Sequence, residues 1–224
     1  LESLKDRAYQ AIRVAIMEGA FAPGEQITIR SLAEALGIGT MPVRESIQRL
    51  VAEGALASLP NRTVRIPVLN RRSFDDLCLL RMAVEGLATR LACQRMTTDS
   101  FAQISKSAGV VSERVHKGLA APGARALKGI LEANYQYQFS IYRAAESPYL
   151  LGVIEGLWLR FGPLVNYPLH RDDSQRRDLF SIEPVHEQLV AALRDRHAKL
   201  AEESLRRLVE HTMNWYHRHY RFVD

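Results

Sequence analysis

The chain has 224 residues, 47% of them hydrophobic, with a formal net charge of +5 and a pI near 9.4, enough for one large domain or two modest ones. No apolar run approaches the roughly 18 residues of a membrane-spanning helix, and no basic-then-apolar leader opens the sequence, so neither a membrane partner nor a signal peptide is expected, and the location is expected to be cytoplasmic. Cys78 and Cys93 fit neither a metal spacing nor a disulfide framework and are expected to be buried free thiols.

Residues 4–18 carry Leu4, Ala8, Ala11, Ile12, Ala15 and Ile16 at helical spacing, and Gly19 closes that helix. The run Phe21 to Glu25, with Pro23 and Gly24, reads as a turn. Thr28 caps a short helix to Leu36, with Leu32, Ala33 and Leu36 inward. Gly37-Ile38-Gly39 is a tight connection. A third helix runs from about Thr40 to Glu53 and stops at Gly54, with Val43, Ile47, Leu50 and Val51 as its apolar stripe. Two β-prone runs follow, Leu56–Leu59 and Val64–Ile66, with Pro60-Asn61-Arg62-Thr63 between them as a hairpin.

Pro67–Arg72 reads as a linker, and Ser73 with Asp76 as a capping box. The rest is helical. Leu77, Leu80, Val84, Leu87 and Leu91 mark one long amphipathic helix; Phe101, Ile104, Ala108, Val111 and Val115 mark another, broken at Gly118–Gly123. Further helices span residues 124–145, 149–161 (ending at Gly162-Pro163), 176–195 and 197–221. The expected fold is mainly α: a winged helix-turn-helix over residues 1–69, then an all-α bundle of six to seven helices over residues 70–224.

Helix, short helix, glycine turn, helix and hairpin follow one another in the order of a winged helix-turn-helix, whose third helix fits the major groove. Charge alone does not demand DNA, because residues 1–70 hold eight Lys and Arg against seven acids. The residues themselves are more specific. Pro23-Gly24-Glu25, Arg30-Ser31-Leu32-Ala33, Leu36-Gly37-Ile38, Pro42-Val43-Arg44-Glu45, Arg49-Leu50 and Glu53-Gly54 strongly resemble the GntR family of bacterial repressors. The helical remainder resembles the family's FadR-like branch, whose effector domain is called FCD.

That resemblance implies a double-stranded DNA operator, a small-molecule effector, a homodimer, and no enzymatic activity or cofactor. It implies DNA contacts at Arg30, at Gly39, Thr40 and Met41, at Arg44 and Arg49, and at Asn61 and Arg62 in the wing. Arg44, one turn into the recognition helix, can make bidentate contacts to guanine or phosphate. Two departures stand out. Where the family has Ser-Arg-Thr, this chain has Gly39-Thr40-Met41, so a hydroxyl and a methyl replace a guanidinium. Where the wing has a glycine, this chain has Thr63.

In the second region the resemblance implies that Arg81, in an Arg-x-x-x-Glu context with Glu85, faces an effector; a carboxylate would suit it. The alternative is an ion pair within the helix. FCD domains also commonly hold a metal on Asp-x-x-x-His and two later histidines. The matching positions here are Asn134, Gln138, His186 and Leu208, with His211 one turn away. Neutral amides are poor ligands for transition metals, so no metal is expected. Asn134, Gln138, His186 and His211, with Arg81 and Glu85, are instead the candidate effector contacts. A plain reading as satisfied core amides stands beside this. His217 and His219, two residues apart, face different sides of a helix and read as a solvated final turn. The rivals to an effector-controlled repressor are a constitutive DNA-binding protein with a vestigial pocket and a metal-dependent sensor or enzyme.

Overall fold

The computed structural model describes residues 3–60, 63–120, 124–170, 172–181 and 183–223. The chain divides into two compact units. The first comprises Leu1–Leu69 with Glu155–Tyr167 and Val223; the second comprises Asn70–Ile154 and Pro168–Phe222.

In the first unit, α1 (Leu4–Met17) starts at Ser3, whose hydroxyl accepts a hydrogen bond from the Asp6 N–H, and buries Ala8, Tyr9, Ile12, Ile16 and Met17 along one face. Thr28 caps α2 (Ile29–Leu36) by accepting from the Ser31 N–H, and Gly37 ends it at φ 64°, a left-handed turn in which any Cβ would be strained. The chain then enters α3 (Thr40–Ala52), which buries Val43, Ser46, Ile47 and Leu50 where it packs on α1 and α2. Three short strands complete the unit: β1 (Gln26–Thr28), β2 (Ala57–Leu59) and β3 (Thr63–Arg65). They form an antiparallel sheet in the order β1-β3-β2, with Ile27 and Ser58 both opposite Val64. The hairpin is the expected wing. β1 is not among the expected strands, because three residues are too few to show an alternation; buried Ile27 between two exposed neighbours is its whole pattern.

The second unit contains α4 (Arg71–Arg95), α5 (Thr98–Ala120), α6 (Ala124–Ala144), the start of α7 (Pro148–Val165), α8 (Asp173–Phe180), α9 (Glu183–Arg194) and α10 (Ala198–His219). α10 runs along α4 and α9, α6 along α4 and α5, and α5 also meets α9. Phe74, Ile104, Tyr137, Phe139, Ile141, Tyr142, Trp215 and Tyr216 are fully buried there. Cys78 and Cys93 are free and buried, and burial pushes the Cys78 thiol up to about 11.

Several boundaries differ from expectation. α4 starts before Ser73: Asn70 is its cap, and its side-chain oxygen accepts from the Ser73 N–H. The amide of Ser73 is thus what is capped, and its hydroxyl is not the cap. α5 continues through Gly118, where the missing side chain admits Ile130; a Cβ would lie 2.7 Å from its Cδ1. α7 runs past Gly162 to Val165 with Pro163 inside it; the proline's φ fits a helix, but its missing N–H gives up one backbone hydrogen bond. Its last residues belong to the first unit, where Glu155 pairs with Arg13 at 2.8 Å and Arg160 donates to the Glu53 carbonyl at 2.9 Å. Residues 176–195 form two helices, α8 and α9, rather than one.

The inward face of α4 is also rotated from the leucine stripe. Leu80 is 53% exposed and Leu79 57%, whereas Phe74, Leu77, Cys78, Arg81, Glu85, Ala88, Thr89 and Ala92 are buried. An ion pair can occupy a core position once both charges are satisfied, and hydropathy cannot see that.

Candidate functional site

The first unit presents the start of α3 as an open surface. Gly39 has no side-chain cap hydrogen bond, so the first-turn amides of α3 point outward with the positive end of the helix dipole. Gly39, Thr40 and Met41 are exposed, Met41 by 62%. Arg44 is half-buried, and its Nε is buried without a hydrogen-bond partner. Its stem is therefore fixed against the protein, with the guanidinium hydrogen-bonding capacity only partly used. Arg30 is exposed on α2, with its Nε 2.9 Å from Glu34 Oε1, a surface pair that a phosphate can displace at little cost.

Arg49 sits differently. Its guanidinium carbon lies 3.7 Å from the centroid of the Tyr9 ring, and its Nε donates to Glu53 Oε1 at 3.1 Å. The Tyr9 hydroxyl donates to the same carboxylate, 2.7 Å from Oε1. Burial first, then the Glu53 contact, raises the Tyr9 pKa. These three side chains tie α1 to the end of α3. The sequence gives no sign of the tie, because Tyr9 and Glu53 are 44 residues apart. Asn61 and Arg62 lie outside the described residues.

The second unit holds a buried polar chain. Arg81 Nε donates to Glu85 Oε1 at 2.7 Å, and its Nη2 lies 3.4 Å from Oε2. The Tyr142 hydroxyl donates to Glu85 Oε2 at 2.5 Å and lies 3.5 Å from Gln138 Oε1. The Arg81 and Glu85 side chains are 3% and 0% exposed. Burial disfavours the Arg81 cation, but the Glu85 charge and hydrogen bond outweigh it and hold the guanidinium above its ordinary pKa. Burial and the adjacent Glu85 push the Tyr142 phenol well up.

Tyr137 and Gln138 are buried on α6 and Asn134 is half-buried one turn before them. Spacings of three and four residues put Asn134 on one face with Tyr137 and Gln138. The Tyr137 hydroxyl is buried with no partner. Its ring meets His186 of α9, centroids 5.6 Å apart and tilted by 30°. His186 is half-buried by surface area, yet enough protein surrounds the ring that burial lowers its pKa to about 4, with Glu183 opposing and His211 reinforcing the shift. His211 Nε2 lies 3.1 Å from the carbonyls of both Asp178 and Leu179, so that nitrogen carries the proton and donates to them.

A metal does not fit this donor set. Asn134 and Gln138 offer neutral amides, Leu208 is buried hydrocarbon, and the His211 Nε2 lone pair is committed to a proton. Only His186 remains a good ligand, and one imidazole does not hold a divalent ion. Among the described residues no three His, Cys, Asp or Glu side chains gather as a metal set. His217 and His219 are not solvated as expected: both are half-buried, His217 against Asp75 and His219 3.6 Å from Asp178.

Comparison with known proteins follows this division. Residues 4–66 match the model of bacterial regulatory proteins of the gntR family, and residues 76–211 match the FCD domain. The chain belongs to the gntR family and carries an FCD domain. The HTH-type transcriptional regulator McbR of Escherichia coli K12 is 30% identical over 149 residues, 66% of this chain and 64% of McbR. The Nta operon transcriptional regulator of Aminobacter aminovorans is 40% identical over 82 residues, 37% of this chain and 39% of that protein. The matches thus span less than two thirds of these curated relatives. A solved structure of E. coli McbR/YncC superposes with a TM-score of 0.87 at 24% identity, covering 99% of this chain and all of that one, which is a likeness of fold. No described helix is long and apolar enough to cross a membrane.

Proposed function

We propose that this gntR-family chain is a DNA-binding transcription regulator, acting as a homodimeric repressor whose grip on its operator is set by a small organic molecule held in the helical unit. The observation that carries the reading is the exposed, uncapped first turn of α3, Gly39-Thr40-Met41, with Arg44 anchored one turn later and its Nε unpartnered. Backbone amides and an arginine fork at that end of a recognition helix suit phosphate and base edges. A single recognition helix reads too few bases for genomic specificity, so two half-sites and a dimer follow from the mechanism. An effector that binds one arrangement of the dimer better than another shifts the population between them and so changes operator affinity.

The carboxylate effector expected from Arg81 loses its support, because Glu85 already supplies the carboxylate. Removing Glu85 from Arg81 to admit another anion would leave a buried charge unpaired. The amides of Asn134 and Gln138 carry no charge, and burial lowers the pKa of His186, which favours an uncharged effector.

Selection of duplexes from random DNA by the full chain tests the reading. The expected result is enrichment of a two-fold symmetric sequence, bound by two chains per duplex, with an affinity that falls steeply with salt. Absence of any enriched sequence would sink it.

A further inference from the structure

The interior of the second unit sorts its polar groups into two sets. Arg81, Glu85 and Tyr142 satisfy one another within hydrogen-bond distance. Tyr137, on the same helix as Tyr142, does not: its side chain is 0% exposed and its hydroxyl has no partner. An unpaired buried hydroxyl is costly, and native interiors rarely leave one. Position 137 would be cheaper as phenylalanine unless the hydroxyl has something to bond. The group beside it is the His186 ring, and the amide one turn earlier on its own helix face is that of Asn134.

We propose that Tyr137 and His186 form the recognition point of the effector site, and that the effector presents there an uncharged hydrogen-bond acceptor, a carboxamide or ketone oxygen. This rests on the reading of the second unit as the effector-binding part. The Tyr137 hydroxyl donates to that oxygen. His186 contributes a ring face and one donor or acceptor nitrogen beside the Tyr137 ring. Among the described residues the buried arginine or lysine of the second unit is Arg81, which pairs with Glu85. Glu183, three residues before His186 on the same helix, lies 3.5 Å from His116 and accepts from Ser112 Oγ at 2.8 Å. Glu183 is negative, so it repels an anionic ligand. An anion therefore loses its hydration and gains no counter-charge, whereas a neutral acceptor gains one hydrogen bond that the protein alone leaves unmade. No metal is needed to anchor it.

The test uses isosteric probe pairs on the purified full chain at pH 7.5: benzamide against benzoate, nicotinamide against nicotinate, and zinc chloride alone. Melting temperature and direct calorimetric binding are the readouts. The neutral member of each pair should raise the melting temperature and the anion should not. Zinc should do nothing that His186→Ala abolishes. Tyr137→Phe should melt no lower than the parent, because it removes an unpaired polar group, and yet bind the amides about tenfold more weakly. His186→Phe keeps the ring face without nitrogen and separates the two contributions.

A preference for the acids, a zinc effect that needs His186, no response to either amide, or amide binding unchanged in Tyr137→Phe would each overturn the proposal. The last of these would leave the hydroxyl satisfied by a structural water only. Failure of the regulator reading is seen separately. If the parent chain selects no DNA sequence while the amides still shift its melting, the site stands and the repressor does not. If it selects an operator but no amide binds, the reverse holds.

Discussion

Arg81 Nε and Glu85 Oε1 lie 2.7 Å apart, one turn along α4, with the two side chains 3% and 0% exposed. An exposed pair at this spacing contributes about 0.3–0.5 kcal/mol. A buried one behaves differently, because removing either partner leaves the other's charge less compensated in a site shielded from water. Glu85→Ala should destabilise the chain by about 3–5 kcal/mol, and Arg81→Ala by a similar amount. Replacing both, as Arg81→Met with Glu85→Leu, should cost clearly less than the sum, although Tyr142 then loses the acceptor of its hydroxyl. Chemical denaturation of the singles and the double reads the coupling. Additive costs would show that the two side chains do not depend on each other.

His186 gives the second unit a pH dependence of known sign. Its folded pKa is lowered from 6.5 to about 4 by burial, with the neighbouring His211 adding to the shift and Glu183 opposing it. Between those values the unfolded chain binds more protons than the folded one, so stability rises with pH across that window and is flat above it for this group. Falling from pH 6.5 to 4 should remove no more than about 3 kcal/mol. His186→Phe should flatten that part of the profile. Denaturation midpoints at half-unit steps of pH, on both chains, check it; an identical slope in the variant would assign the dependence to other groups.

The interior of the second unit is less legible in the sequence than the helix-turn-helix. The helix-turn-helix is legible because its signals are local: Thr28 caps α2, Gly37 turns with positive φ, and Val43, Ile47 and Leu50 repeat at helical spacing. β1 is missed because it is three residues long and defined by its partner β3. The face of α4 is misjudged because its core positions hold Arg81, Glu85 and Thr89, which earn burial only through groups on other turns or on α6. Tyr137 is not singled out for the same kind of reason. Its polarity matters only once burial and the absence of a partner are known, and both are tertiary facts. Among the polar candidates, Asn134, Gln138 and His186 are legible through family positions, whereas their state of charge is not.

Arg44 and Arg49 separate two roles that the motif alone assigns together. Arg44→Ala should lower operator affinity by about 1–3 kcal/mol, with the loss concentrated on the bases it reads. Arg49 stacks on Tyr9 at 3.7 Å and pairs with Glu53, so Arg49→Ala should destabilise the first unit by about 0.5–1 kcal/mol and leave base preference intact. Thermal melting and sequence preference, measured on both variants, distinguish them. A changed base preference in Arg49→Ala would put that guanidinium on the DNA after all.

Thr40 stands, in the proposed reading, at the base-facing position where the GntR pattern has an arginine. It is the first residue of α3 and is exposed, beside a Met41 that is 62% exposed. A threonine offers one hydroxyl and one methyl, and Met41 adds a flexible thioether. Such a surface favours the C5-methyl of thymine and does not grip the paired acceptors of guanine. Gly39 adds no side chain, and no heavy atom stands within 4 Å of where its Cβ would be, so there is room at this corner for a longer side chain. Thr40→Arg should therefore move base preference toward guanine at one symmetric pair of operator positions, by about 1–3 kcal/mol of discrimination, and leave the other positions as they are. The free backbone amides of the first turn should keep their phosphate contacts, so overall affinity on the new sequence should match that of the parent on its own. Parallel selections from random duplexes give the answer directly. An unchanged profile would show that Thr40 faces the phosphate backbone and that the reading of bases begins at Arg44.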